Sequence, residues 1–280
     1  MDYTIQLIED YLNILDVNYK LVINKKLVMM MKKSLLLMAI IALPFVFISC
    51  KDNKDEPQLP DNHEYVDLGL RSGTLWATCN VGADSPEEYG DYFAWGETVP
   101  KDEYGWRNYK WAHWEYDTIG ENFYHVVEET WYKYYEMNWT ENGYVKGDGK
   151  MELDPEDDAA YVNWGPGWRM PTLEQLQELV EDCDWQWTQM NGVKGCLVTG
   201  SNGNSIFLPA SGGCASDIYY DGKFAYYWSR SLYSRKKLTI EAAGQGEAYI
   251  LFFNQWNEQE IWYNSRYSGI PVRAVCASRK

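Results

Sequence analysis

The chain has 280 residues, 46 % of them apolar and 16 % aromatic, with 41 acidic against 25 basic side chains and a formal net charge of −16. That much apolar material is enough for a sizeable core and excludes a disordered chain, and the carboxylate surplus argues against nucleic acid and against anionic membrane surfaces as partners. The 14 Trp and 23 Tyr are unusual; amphipathic rings serve cores, interfaces and sugar platforms alike, and a core with its rim accounts for most of them.

Residues 31–50 read as an export signal. Lys32 and Lys33 form a basic start, and Leu35 to Ile48 make an apolar run too short to span a bilayer comfortably. The run ends in Phe47-Ile48-Ser49-Cys50, which resembles a bacterial lipobox, so Cys50 is expected to be diacylated and to become the mature N-terminus. Attachment to the membrane is then through the lipid only. Lys51 to Glu56 with Pro57 and Pro60 form a flexible tether over 51–62, and its early acidic residues are similar to the surface-export signals of Bacteroidetes lipoproteins. Residues 1–30 precede the signal and are expected to be an extension upstream of a true start at Met29, Met30 or Met31. Removing residues 1–50 takes away five basic and four acidic side chains, leaving a net charge of −17.

With Cys50 lipidated, Cys79, Cys183, Cys196, Cys214 and Cys276 remain, so at least one stays unpaired in a monomer. There is no Cys-x-x-Cys, and the three histidines, His63, His113 and His125, are scattered. No metal site and no cofactor are expected. Disulfides are permitted by export, but spacing does not pair them.

Taken in order, Glu64–Leu70 and Leu75–Val81 flank a turn at Arg71-Ser72-Gly73 and predict an antiparallel hairpin, followed by a short extended piece over Asp91–Gly96. Residues 100–150 mix Trp, Tyr, Lys and Glu without a clean period. They predict a long aromatic insertion with little regular structure and a short helix around Val127–Tyr135, either carrying binding or folding its rings over the core. The carboxylates of Asp154, Glu156, Asp157 and Asp158 suit a helix start better than a calcium loop, since their spacing does not match an EF-hand.

The plan of the chain centres on Trp164–Leu179. Pro166 between two glycines makes a tight turn, Pro171 keeps Met170 extended, and Thr172 with Gln175 forms a capping box at the start of an amphipathic helix near 172–182. Leu173, Leu176, Leu179 and Val180 share its apolar face, with Glu174, Gln177, Glu178 and Glu181 opposite. Beyond it, Gly195–Gly200 and Ser205–Pro209 flank Ser201-Asn202-Gly203-Asn204 as a hairpin, and further strands are expected at Ala225–Arg230, Ala248–Phe253 and Ile270–Cys276. A helix followed by several short strands implies one α+β domain over 63–280 with an antiparallel sheet.

These blocks together resemble the Fibrobacter succinogenes major paralogous domain family, abundant among Bacteroidetes surface lipoproteins. The resemblance rests on Tyr65–Leu70, Gly73–Ala83, Tyr89–Glu97, Glu156–Ala160, Trp168–Thr172, Gly203–Ala210, Tyr227–Ser229 and Val272–Val275, nearly the whole mature chain. It implies a C-type lectin-like fold, in which N- and C-terminal strands pair and loops opposite them present a variable surface. It also implies an outer-membrane lipoprotein exposed at the cell surface.

The related formylglycine-generating oxidases have a similar turn before a helix, but their copper(I) chemistry needs two neighbouring cysteines near the C-terminus. Here only Cys276 lies beyond Cys214. No Gly-x-Ser-x-Gly elbow supports a serine triad. Calcium-dependent sugar binding of the animal-lectin type is matched only faintly, by Trp256-Asn257-Glu258. The expected activity is therefore non-catalytic binding of a protein or glycan ligand through loops carrying Trp256, Asn257, Trp262, Tyr263, Asn264, Arg266 and Tyr267, residue types that give contact area at low entropic cost. The competing placement puts Trp262 and Tyr263 on a strand packed against the core. An oxidase-like envelope enzyme and a structural component of a fimbria-like assembly are the alternatives.

Overall fold

The computed structural model describes residues 63–118, 124–135, 137–140, 143–233 and 246–277. The extension, the signal segment, Cys50 and the tether lie outside the described residues, and the described residues belong to one compact unit. No helix among the described residues is long and apolar enough to cross a membrane. The first strands are β1 (Tyr65–Asp67), β2 (Thr74–Asn80) and β3 (Tyr92–Phe93), followed by β4 (Ala112–Thr118), β5 (Tyr124–Trp131), β6 (Met137–Thr140) and β7 (Gly143–Lys146). Two helices come next, α1 (Ala159–Trp164) and α2 (Leu173–Asp182). The second half holds β8 (Asp184–Met190), β9 (Val193–Thr199), β10 (Ser205–Pro209), β11 (Gly213–Cys214), β12 (Ile218–Tyr219) and β13 (Phe224–Leu232). It closes with β14 (Glu247–Asn254), β15 (Gln259–Ser265), β16 (Ile270–Pro271) and β17 (Arg273–Ala277). Small antiparallel sheets with few helices make this an α+β or mostly β architecture.

The turn and helix expected at the centre are present. Gly165 ends α1 at φ 98°, a conformation that favours glycine, and the Trp168 N–H returns to its carbonyl at 3.0 Å. Thr172 caps α2: its hydroxyl accepts from the Gln175 N–H at 3.3 Å, and the Gln175 side chain accepts from the Thr172 N–H at 3.0 Å. Leu176 and Leu179 are buried, but so is Glu178, which was expected on the polar face. The turn between β1 and β2 lies over it, and the Ser72 N–H donates to its Oε1 at 2.8 Å, while Oε2 is buried without a hydrogen-bond partner among the described residues. Of the carboxylates before α1, Asp158 acts as the helix-start group. Pro155–Asp157 form a 3-10 turn, and buried Asp158 caps α1 by accepting from the Ala160 and Tyr161 N–H groups.

The opening and closing strands of the domain pair. β2 lies between β1 and β17, with Tyr65 opposite Ala77 and Val275 opposite Trp76. Arg273 locks this junction from inside. Its guanidinium donates to Asn80 Oδ1 (2.9 Å) and to the carbonyls of Ala77 (3.0 Å), Thr78 (2.8 Å) and Phe207 (3.0 Å), so a fully buried cation finds acceptors all round. The single strand expected over Ile270–Cys276 is split into β16, paired with β3, and β17, with a register shift between Arg273 and Val275.

A second sheet, β13-β14-β15, divides the core. Trp228 and Ile250 point to one side, toward Phe93, Trp95 and Trp168; Tyr227, Leu251 and Phe253 point to the other, toward α2 and Leu176. Burial on both faces explains why these strands read as unbroken apolar runs. The hairpin β9–β10 forms as expected, and β8 adds a third strand to it. The aromatic insertion departs from expectation. In place of a helix around Val127–Tyr135 it holds two hairpins, β4–β5 and β6–β7. Val126, Val127 and Thr130 are β-branched and fit a pleated strand, and pairing with β4 outweighs whatever helical tendency the charged residues carry.

Candidate binding surface

The residues expected to form a binding surface on loops fall in four different places. Trp256 and Asn257 sit in the turn joining β14 to β15. The Asn254 side chain shapes that turn, its Oδ1 accepting from the N–H groups of Trp256 (2.9 Å) and Glu258 (3.3 Å), and Asn257 takes a left-handed φ of 59°. Trp262, Tyr263 and Asn264 are not in a loop but on β15, as the competing placement had it. Because neighbouring residues on a strand face opposite ways, Trp262 turns outward on one side while Tyr263 stacks on Tyr233 at 4.2 Å on the other. Asn264 is half-buried, accepting from the Ser265 N–H and the Ser268 hydroxyl. Tyr267 meets Trp106 at 4.1 Å.

Arg266 is the clear correction. At 0 % exposure it faces no solvent, and its guanidinium lies 4.8 Å from the Trp95 ring and 4.6 Å from that of Trp131. It donates to Tyr109 Oη (2.8 Å) and to the carbonyls of Tyr134 (2.9 Å) and Lys133 (3.1 Å). It therefore fastens the insertion to the end of β15 and touches no external ligand.

What the structure adds is a shelf of rings toward the Phe224 end and the β15 edge of β13-β14-β15, on the face that also carries the buried Trp228 and Ile250. Phe224 stacks against Phe252 at 5.9 Å, Trp262 meets Phe252 at 5.7 Å, Trp256 meets Phe224 at 5.6 Å and Tyr220 meets Phe224 at 5.3 Å. Tyr226 joins them beside Phe252. Phe252 is 8 % exposed and forms the floor; Trp256 (60 %), Tyr220 (59 %) and Trp262 (47 %) stand open. Glu260, directly across from Phe252, and Glu258 are exposed at the edge. Tyr220 also holds a left-handed φ of 61°, an outlier for a bulky side chain that costs about 1–2 kcal/mol. Its ring gains little burial in return.

No known protein family, curated protein or solved structure matches the chain.

Two other groups of chemically able residues are already engaged. The carboxylates of Asp154, Glu156 and Asp157 come close enough to hold a cation, but the Lys133 ammonium occupies that position, 2.6 Å from both Asp154 and Asp157. Burial alone would raise the Asp157 carboxyl. Hydrogen bonds from Lys133, Tyr134 and Lys110 outweigh it and hold the group below the usual carboxylate range. The five described cysteines are free thiols. Burial pushes Cys196 up to about 12 and Cys183 and Cys276 to about 11, so all three stay protonated and poorly nucleophilic. A shallow cleft of about 290 Å³ between Arg71 and the outer side of α2 is lined only by polar side chains.

Sequence reasoning missed Tyr220, Phe224, Tyr226 and Phe252. The available signal was alternation: Phe224 and Tyr226 share a face of β13, and Trp262 shares one with Glu260, but the sequence does not say how far along that face the core extends.

Proposed function

We propose that this chain is a lipid-anchored binding protein of the bacterial outer membrane, displayed at the cell surface, whose C-type lectin-like domain holds a protein or glycan partner without transforming it. The observation that carries the reading is the shelf, open rings on a sheet whose interior is fully packed, with a strained tyrosine at its edge. Pairing of β2 with β17 supports the lectin-like topology. The two fully buried thiols, Cys196 and Cys276, lie in different core clusters, which favours binding over oxidation at a paired copper–thiolate site. The acidic surplus favours a partner that is neither nucleic acid nor a polyanion.

The test is to express the full chain in a bacterium supplied with labelled palmitate, then probe the purified chain on glycan and protein arrays. Label in the wild type and none in Cys50→Ser is expected. So is a saturable partner that Trp256→Ala weakens and Tyr263→Ala, on the opposite face, does not. An unlabelled wild-type chain overturns the anchor. Tightly held copper on a reactive thiol pair, or conversion of the bound partner to a product, overturns binding without catalysis.

A further inference from the structure

We propose that the exposed rings at the Phe224 end and β15 edge of β13-β14-β15 bind a neutral glycan chain, whose pyranose rings lie on Tyr220, Phe224, Trp256 and Trp262 and whose hydroxyls donate to Glu258 and Glu260. This rests on the binding reading above and narrows it to one ligand class.

Four observations select that occupant. First, Phe224 and Phe252 lie nearly parallel at 29°, while Tyr220, Trp256 and Trp262 stand at 63–80° to them, so upright exposed rings flank a short apolar floor. The open faces of those upright rings are negative π surfaces, which suit the C–H bonds on the flat side of a sugar ring. Second, the hydrogen-bonding groups at the edge are carboxylates. Glu260 lies across from Phe252 on the same face, and Glu258 flanks Trp256, held by the Asn254 amide at 2.6 Å. Carboxylates accept from hydroxyl donors and repel acidic sugars and phosphates. Third, a net charge of −16 opposes docking of a second copy on this already acidic edge. Fourth, three rings about half exposed offer roughly 300 Å², well short of the roughly 800 Å² a side that a stable protein interface buries. A saccharide needs only the smaller area. The left-handed Tyr220 agrees with this: the backbone holds the ring at the rim, where it extends the floor by one step past Phe224.

Affinity electrophoresis of the full chain in non-ionic detergent tests the inference, with gels containing β-1,4-glucan, β-1,3-glucan, α-1,4-glucan, xylan or mannan, and polygalacturonate as the acidic comparison. Retardation by at least one neutral polymer is expected, falling at least tenfold in Trp256→Ala/Trp262→Ala and unchanged in Tyr263→Ala. Tyr220→Gly guards against misfolding, because glycine relieves the left-handed backbone while deleting the ring; retardation is expected to drop several-fold at a melting temperature no lower than that of the wild type. Retardation by no neutral polymer, by polygalacturonate alone, or equally in wild type and the double variant overturns the proposal. A protein partner on the arrays whose binding is lost in the double variant also overturns it, while leaving the broader binding reading intact. Arrays blank for proteins and glycans alike overturn both.

Discussion

The insertion between β3 and α1 and the exposed rings along the edge of β13-β14-β15 draw on the same residue types and use them in opposite ways. In the insertion Tyr104, Tyr109, Trp131 and Tyr134 are buried, and their polar ends are closed off: Tyr109 donates to the Trp95 carbonyl at 2.7 Å and Tyr134 to Asp157 at 2.6 Å. Arg266 fills the space between the rings. On the sheet, Phe224, Phe252 and Trp262 make ring contacts of similar length, yet nothing polar closes over them among the described residues. Ring density therefore does not separate a closed core from a binding face. What separates them is whether a cation and carboxylates stand among the rings with all their hydrogen bonds made.

The strongest way to break this contrast is to remove the closure. Arg266→Ala leaves the Tyr134 and Lys133 carbonyls without their donor and opens a void between Trp95 and Trp131, an expected loss of about 3 kcal/mol. Arg266→Lys should recover less than half, because one ammonium cannot replace a flat fork lying between two rings. Chemical denaturation of the full chain measures both, and a loss below about 1 kcal/mol for the alanine variant would mean the insertion is held on by something else.

Next in size is Asp157, where Lys133, Lys110 and Tyr134 meet. Asp157→Asn is expected to cost about 2 kcal/mol at neutral pH, the range for a buried hydrogen bond to a charged group. Since the folded protein holds this carboxyl below its ordinary value, its contribution is complete above the usual carboxylate range and is lost as the pH falls through the depressed folded value. Asp158 works the other way. Burial raises its carboxyl, outweighing the N–H groups of Met170, Tyr161 and Ala160, so its contribution is present at low pH and fades as the pH rises through the raised value. Stability of the wild type should thus fall below about pH 4, and Asp157→Asn should flatten that decline. An equally steep decline in the variant would assign the acid sensitivity elsewhere.

How much of this was legible in the sequence follows the range of the forces involved. The capping box at Thr172 and Gln175, the Asp158 helix start and the β1–β2 and β9–β10 hairpins are local, made by residues within a few positions of each other, and all were readable. β8 was equally local: Asn191 and Gly192, both at positive φ, turn it into β9, and that Asn-Gly pair was passed over. Arg266 was not readable. Its partners Tyr109 and Tyr134 lie 157 and 132 residues away, and an arginine flanked by Ser, Asn and Tyr looks like a paratope until the fold brings Trp95 and Trp131 around it. Glu178 was misplaced for the same reason, its donor at Ser72 being 106 residues distant. The shelf needed the register of three strands before Phe252, Trp262 and Glu260 could be put on one face.

A smaller effect checks the part read locally. Thr172→Ala removes the hydroxyl that accepts from the Gln175 N–H and should cost about 1 kcal/mol, with Thr172→Ser nearly neutral. A cost near zero would show that Gln175, which also donates to the Thr74 hydroxyl at 2.7 Å, carries the helix start alone.

The smallest expected effect bears most directly on the contrast between the two aromatic regions. If the shelf is a binding face, its rings are not needed to hold the fold, and Trp256→Ala should change stability by no more than about 0.5 kcal/mol. Trp256 is 60 % exposed and only its edge contact with Phe224 is lost, while the turn beneath is built by Asn254, whose hydrogen bonds do not involve the indole. Trp131→Ala, in the closed region, should be destabilising by several kcal/mol, because the same ring type there lies against Arg266 and is 3 % exposed. Comparing the two in one denaturation series turns a difference in exposure into a difference in free energy. Equal losses would mean that Trp256 is part of the core after all, and the shelf would then lose its claim to be a surface kept open for a ligand.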